Sequence, residues 1–305
     1  MADIIVVGSL NMDLVVKTEH MPAIGETVHG EDLKTIPGGK GANQAAAAAR
    51  LGSSVAMVGK VGGDDFGLPL IKNLQHQGVD ASHVKIDEGV STGTAVIVVD
   101  GSGQNSIVVS PGANGKVDNL DIDTCKDVFN QAKILLLQFE IPLETVAYAM
   151  RIAKEHGVRV ILNPAPAKQV SGDFLKNADV LVPNESELQL LTNMPVTDVS
   201  TAEHAAKKLL EKGVKTVIVT MGERGALFLT EEKSMLVPAR KVKVVDTTAA
   251  GDAFIGGFAA GLLNGFELEK AVRYGCAAGT LAVTKFGAQT SLPSAAEVEE
   301  FFSEQ

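Results

Sequence analysis

The run Asp246-Thr-Thr-Ala-Ala-Gly251-Asp252-Ala-Phe-Ile-Gly256-Gly257 sets small residues and an acid where a helix is expected to open. Val242, Val244 and Val245 lead into it like a strand, and the small-residue run from Phe254 to Leu263 leads out like a helix. Ala249, Ala250 and Gly251 let a ligand come close to backbone N–H groups that have no partner within the helix. That is a ready anion site. Asp252 would repel an anion, so an anion site alone does not explain it. A base aimed at a hydroxyl, beside amides that stabilise developing charge, does explain it, and that is a layout for phosphoryl transfer. The competing reading is a first-turn acid favoured by the helix dipole. In either reading the helix start is expected to lower the Asp252 pKa.

Other segments add polar groups. Pro37-Gly-Gly-Lys-Gly-Ala-Asn43-Gln44 precedes an expected helix from Ala45 to Leu51. Its glycines permit backbone approach, and Lys40 and Asn43 are expensive choices for a plain turn. It is not a Walker A loop, because Gly41 follows Lys40 where Ser or Thr is required. Asn184-Glu-Ser-Glu187 reads as a capping box. It equally sets a carboxylate at a strand end, where a magnesium-bound nucleotide could use it. Thr220-Met-Gly222-Glu223-Arg-Gly225 is either a plain turn or a phosphate-facing one. Gly89-Val-Ser91-Thr-Gly93 has the letters of a nucleophile elbow, but a strand follows it where a helix is needed. No histidines pair at zinc-ligand spacing. No Gly-x-Gly-x-x-Gly follows the first strand, which disfavours a dinucleotide oxidoreductase.

The elements that must hold these residues are legible as continuous apolar runs. Ile4 to Val7, Val55 to Val58, Ile134 to Leu137, Val158 to Leu162, Val180 to Val182 and Val217 to Val219 are short strands, buried on both faces. Helical stretches such as Leu143 to His156 and Ala202 to Lys212 separate several of them. The pattern predicts an α/β fold, a doubly wound and mostly parallel sheet with helices on both faces. Asn11, Asp13, Gln138, Glu140, Asn163, Asn184 and Thr220 follow strand ends, where such sheets bind ligands. Residues 13–35 and 92–109 break the alternation. They read as paired strands, with a hairpin turn at Asp100-Gly-Ser-Gly103. The expectation is a small β-sheet lid from these two segments, on an α/β body made of residues 1–12, 36–91 and 110–305.

Bulk properties narrow the classes. The 305 residues suffice for a large core. A net charge of −10 and the absence of tryptophan disfavour nucleic acid as a partner. Cys125 and Cys276 form no metal or disulfide pattern, and no apolar run reaches membrane-spanning length. No signal-like segment opens the sequence, so a cytoplasmic location is expected.

The assembled motifs resemble the ribokinase (PfkB) family of sugar kinases along nearly the whole chain. The carrying residues are Asn11-Met-Asp13, Gly38-Gly-Lys-Gly-Ala-Asn43-Gln44, Gln138-Phe-Glu140, Asn163-Pro-Ala-Pro166, Asn184-Glu-Ser-Glu187, Thr220-Met-Gly222 and Asp246 to Asp252. The resemblance implies transfer of the ATP γ-phosphoryl group to the O5 hydroxyl of D-ribose, with a different sugar or a nucleoside as the alternative acceptor. It makes Asp252 the base and Ala249, Ala250 and Gly251 the anion hole. It gives the sugar to Asn11, Asp13, Gly39, Lys40, Gly41, Asn43, Glu140 and Asp252 itself. It gives the nucleotide to Asn184, Thr220, Gly222, Glu223, Gly225, Gly251 and Cys276, with Glu187 acting indirectly on Mg2+. It implies K+ near Asp246, Thr248, Ala282, Lys285, Gly287 and Ser291, several through backbone carbonyls. It also implies a lid that closes on the sugar and a homodimer formed through that lid. Ala253, Ile255 and Cys276 depart from the usual family pattern at positions flanking the chemistry. A non-catalytic sugar- or nucleotide-binding regulator on the same fold is the alternative from another class.

Overall fold

The computed structural model describes residues 2–303. In chain order its strands are β1 (Ile4–Val7), β2 (Asn11–Lys17), β3 (Lys34–Gly38), β4 (Val55–Gly62), β5 (Val79–Asp87), β6 (Gly93–Val99), β7 (Asn105–Ser110), β8 (Ile134–Leu137), β9 (Arg159–Leu162), β10 (Val180–Leu181), β11 (Thr216–Thr220), β12 (Ala226–Leu229) and β13 (Ser234–Val237). Its α-helices are α1 (Lys40–Arg50), α2 (Gly67–His76), α3 (Asn119–Asp123), α4 (Lys126–Phe129), α5 (Leu143–Glu155), α6 (Gly172–Leu175), α7 (Glu185–Thr192), α8 (Val199–Glu211), α9 (Ala250–Leu263), α10 (Leu268–Ala282) and α11 (Ala295–Ser303).

Nine strands form one sheet in the order β13-β12-β11-β10-β9-β8-β1-β4-β5. The pairings from β11 across to β5 are parallel, and β12 and β13 close the other edge antiparallel. Successive residues of β1 point to opposite faces. Ile4 and Val6 join a core with Ala45 to Ala48, Phe258 and Val272, whereas Ile5 and Val7 join one with Val146, Ala149, Ala202 and Leu209. Helices on both faces make those apolar runs continuous rather than alternating.

The second sheet has the order β3-β2-β6-β7. β2 runs parallel to β6, and the outer pairs are antiparallel. Val99 pairs with Asn105, so residues 100–104 form the hairpin loop, with Asp100 Oδ1 accepting from Ser102 N at 2.9 Å and Gln104 N at 3.0 Å. Asn11 and Asp13 therefore sit on a strand of this sheet.

One expectation fails. Val242 to Val245 form no strand, and Val244 and Val245 are more than half exposed. The backbone there turns away from the sheet, and Val245 N and Asp246 N both donate to Val283 O at the end of α10. Two helices also start earlier than their apolar periodicity suggests, α1 at Lys40 and α9 at Ala250. The polar and small residues that precede each run already have helical backbone.

Candidate active site

Two helix starts meet at the centre of the site. Gly39 precedes α1 with φ 91°, and a β-carbon on it would stand 2.7 Å from Asn11 N. Only glycine fits such a left-handed, crowded position. Ala249 precedes α9 in the left-handed region at φ 59°, without a side-chain cap. Gly251 is exposed and Asp252, the next residue, is buried. Ala250 and Gly251 line an open cleft, with Ala250 N donating to Thr247 O at 3.3 Å, while the carboxylate of Asp252 is buried.

α1 brings two amide side chains to that carboxylate. Asn43 Nδ2 donates to Asp252 Oδ2 and Gln44 Nε2 donates to Asp252 Oδ1, both at 3.0 Å. Burial pushes the Asp252 carboxyl above its ordinary pKa, while Lys40 and the two donated hydrogen bonds oppose the rise. The lowering expected from the helix start is therefore reversed, because the acid is desolvated and Glu140 adds like charge.

Asp13, Lys40 and Glu140 complete a charged cluster with Asp252. Burial, followed by the charges of Glu140 and Asp252, pushes Asp13 up to about 7, with Lys40 acting against them. Burial acts to lower the Lys40 pKa, but Asp252, Glu140, Glu187 and Asp13 together outweigh it and raise it. Glu140 Oε2 accepts from Ser9 Oγ at 2.5 Å and from Lys40 N at 2.9 Å, and Gly41 N donates to Ser9 Oγ at 3.2 Å. Gly38 leaves room for Asp13, since a β-carbon there would lie 2.3 Å from Asp13 Oδ2. Asn11 is fixed from behind by Asn114 Nδ2, which donates to its Oδ1 at 2.7 Å. Asn43 Oδ1 is buried without a partner. A cluster of carboxylates, amides and one ammonium suits a ligand carrying several hydroxyls.

A cleft of about 720 Å³ opens on the far side of Gly251. Thr220, Gly222, Glu223, Gly225, Gly251 and Cys276 all line it. Its size is that of a small-molecule site. Gly225, at φ 101°, allows the turn, since a β-carbon would meet Val237 O at 2.0 Å. Burial pushes the Cys276 thiol up to about 12, so it is a neutral, unreactive wall. Asn184 does not line the cleft. It caps α7 in a full capping box, its Oδ1 accepting from Glu187 N at 2.9 Å and its own N donating to Glu187 Oε2 at 2.8 Å. A backbone bridge ties it to Thr220, which does line the cleft. Burial raises the Glu187 pKa against the effects of its bond from Asn184 and the nearby Lys40.

Of the residues expected around a monovalent cation, Asp246, Thr248 and Gly287 are hydrogen-bonded together. Asp246 Oδ1 accepts from Thr248 N at 2.9 Å and Thr248 Oγ1 at 2.6 Å, and its Oδ2 accepts from Gly287 N at 2.9 Å. These bonds outweigh desolvation and hold Asp246 below the usual carboxylate range, as an anion. Lys285 N donates to Ala282 O, and Ser291 Oγ donates to Ala288 O at 2.8 Å. The Lys285 ammonium pairs with Glu297 Oε1 at 2.5 Å. Carboxylate and carbonyl oxygens are the donors that a hard cation takes. Among the described residues no group of three or more His, Cys, Asp or Glu could hold a metal ion by itself.

Sequence reasoning passes over three contributors. Ser9 follows β1 as Asn11 does, and that same signal could have marked it. Gln44 lies inside a quoted motif, yet nothing in the sequence says that it reaches Asp252. Asn114 lies in a short turn of 3-10 helix (Gly112–Lys116) with no motif around it.

Comparison with known proteins gives the family. Residues 1–295 match the model of the pfkB family of carbohydrate kinases. The chain is 43% identical over 314 residues to a ribokinase of Schizosaccharomyces pombe, covering 99% of this chain and 98% of that one. It is 41% identical over 302 residues to a deoxyribokinase of Salmonella typhi, covering 99% of each. The structure of Arabidopsis thaliana ribokinase complexed with ribose and ATP matches with a TM-score of 0.93 at 34% identity, over 99% of this chain and 98% of that one. This chain belongs to the pfkB family of carbohydrate kinases.

Proposed function

We propose that this chain is an ATP-dependent ribokinase that converts D-ribose to D-ribose 5-phosphate. The observation that carries the reading is the position of Asp252. It belongs to a cluster of carboxylate, amide and ammonium groups, and the residue before it, exposed Gly251, lines a nucleotide-sized cleft. The ribokinase relatives and the ribose- and ATP-bound neighbour support the same assignment.

In this reading Asn11, Asp13, Gly39, Lys40, Gly41, Asn43 and Glu140 hold the sugar. Asn43 Oδ1, now unpaired, accepts one of its hydroxyls. The O5 hydroxyl gives its proton to Asp252 as its oxygen bonds to the γ-phosphorus. The bond from that phosphorus to the bridging oxygen breaks, and ADP leaves. Burial raises the Asp252 pKa and so makes it a stronger base than a free carboxylate. The amides of Ala249, Ala250 and Gly251 take the charge on the transferred group. Thr220, Gly222, Glu223, Gly225 and Cys276 line the nucleotide site, with Asn184 and Glu187 behind it. Mg2+ bound with ATP supplies charge neutralisation at the phosphates. K+ among Asp246, Thr248, Ala282, Lys285, Gly287 and Ser291 would stabilise the loop ahead of the anion hole.

The small sheet, residues 13–35 and 92–109, acts as a lid that keeps water from the γ-phosphoryl group. Val96, Ile107, Val108 and Val109 on it are about half exposed or more. Apolar strands left open in this way favour a homodimer through the lid. No helix among the described residues is long and apolar enough to cross a membrane. A cytoplasmic location goes with an ATP-consuming step.

The deoxyribokinase relative makes deoxyribose the competing substrate. A buried polar pocket discriminates by stranding a partner when a hydroxyl is missing. A panel of ribose, deoxyribose and fructose, with ATP, Mg2+ and either K+ or Na+, tests the assignment. Ribose should give the highest kcat/KM, and K+ should raise the rate. Deoxyribose ranking above ribose would replace the substrate, and equal rates in Na+ and K+ would remove the cation.

A further inference from the structure

We infer that Gln44 and Gln138 are positioning residues for Asp252, a one-way chain of buried amides that holds its carboxylate in a single rotation. The inference rests on the reading of Asp252 as the acceptor of the sugar proton. Gln44 Nε2 donates to Asp252 Oδ1 at 3.0 Å and to Asn163 Oδ1 at 3.3 Å. Gln44 Oε1 accepts from Gln138 Nε2 at 2.6 Å. Asn163 is itself anchored, its Nδ2 donating to Val182 O at 2.9 Å. Both hydrogens of the Gln44 amide and its oxygen are thus engaged. Gln44 and Gln138 are each 0% exposed, so they act through Asp252 and not on a ligand.

The direction of the chain follows from the chemistry of its end. An ionised carboxylate only accepts. Gln44 must therefore offer Asp252 its NH2 group, which leaves its carbonyl for Gln138. Gln138 must donate in turn, and its own Oε1 is left over. That atom is buried without a partner. It lies against Gly8, where a β-carbon would stand 2.2 Å from Gln138 Oε1 and 2.9 Å from Gly41 Cα. An unpaired buried acceptor weakens a fold. Methionine would fill a similar volume without that cost. Stability alone therefore does not account for an amide at position 138, whereas directing Gln44 does.

Reversing the chain tests it. Gln138→Met removes the donor. Gln138→Glu keeps the shape but presents an acceptor, which draws the Gln44 NH2 away and turns its oxygen toward Asp252. Small misplacements of a reacting group cost up to about 100-fold in rate, so kcat should fall about 10-fold in Gln138→Met and about 100-fold in Gln138→Glu. Sugar KM should stay within about 3-fold of the parent, because ground-state binding is untouched. In a Gln44→Met background the two Gln138 variants should become equal, whereas an effect of added charge alone would keep them apart. Equal kcat in the two single variants, a difference that survives without Gln44, or a rise in KM at constant kcat would each overturn the inference. If Gln138→Glu does not fold, the double variant Gln44→Met/Gln138→Met decides. The relay requires it to be no slower than Gln44→Met alone, and independent losses that multiply would refute it. A parent chain without sugar-dependent ADP formation would instead sink the kinase reading.

Discussion

Gly256 on α9 faces Ala47 on α1 so closely that a β-carbon added at Gly256 would lie 2.5 Å from Ala47 Cβ and 2.8 Å from Ala48 N. This contact sets the distance between the two helices whose first turns carry Asp252 on one side and Asn43 and Gln44 on the other. Alanine at 256 must push the backbones apart. Overpacking of this kind costs about 1–3 kcal/mol. Gly256→Ala should therefore lower the denaturation midpoint and also kcat, because the Asn43 and Gln44 bonds to Asp252 lengthen. Loss of stability with kcat intact would mean that the helix contact does not position the base.

Removing the carboxylate tests the chemistry directly. A positioned base contributes typically 10²–10⁴-fold, so Asp252→Ala should lower kcat by roughly that factor. Asn11, Asp13 and Glu140 remain in place, and ribose binding measured by calorimetry should persist. Turnover close to that of the parent would remove Asp252 from the proton transfer.

Asp13 gives a pH signature in the ligand-free protein. Its ordinary value of 3.8 is pushed up to about 7 by burial, then by the charges of Glu140 and Asp252. The folded protein then binds this proton more tightly than the unfolded chain does. The associated stability is fully present below about pH 4 and is lost as pH rises through about 7. Asp252 and Glu187 are raised as well, so the informative quantity is the difference between parent and Asp13→Asn. The Tm of Asp13→Asn should fall less steeply than that of the parent across this interval. Parallel curves would show that Asp13 is already ionised in the empty site.

Much of this arrangement can be read from the residues, and the remainder fails for identifiable reasons. The strands from β8 to β11 announce themselves because burial on both faces leaves no polar alternation to confuse. Asn11, Asp13, Lys40, Glu140 and Asp252 are recognisable as polar groups near strand ends or helix starts, and the fold does bring four of them into one charged cluster with Asn11 beside it. Val242 to Val245 mislead because a β-branched run pairs only if a sheet edge is within reach, and here α10 takes the backbone bonds. The raised pKa of Asp252 escapes because helix position is local, whereas desolvation by the packed face of α1 is tertiary. The partnership of Gln44 with Gln138 spans 94 residues, and no spacing rule reaches that far.

Asn114 shows the same long reach, and it yields a separable test. Its Oδ1 accepts from Leu10 N at 2.9 Å, and its Nδ2 donates to Leu10 O at 3.0 Å and to Asn11 Oδ1 at 2.7 Å. It therefore fixes both the turn after β1 and the orientation of the Asn11 amide, which the proposed function assigns to the sugar. Asn114→Leu would leave buried Leu10 and Asn11 groups without partners, at about 1–3 kcal/mol each. Part of that loss falls on the fold and part on the pocket. The expected result is a lower Tm together with a sugar KM raised about 10-fold, equivalent to roughly 1.4 kcal/mol. The change in kcat should be smaller, since Asp252 has no bond to Asn114. A variant with lowered Tm but unchanged KM would confine Asn114 to the scaffold, and Asn11 would then need no support to bind the sugar.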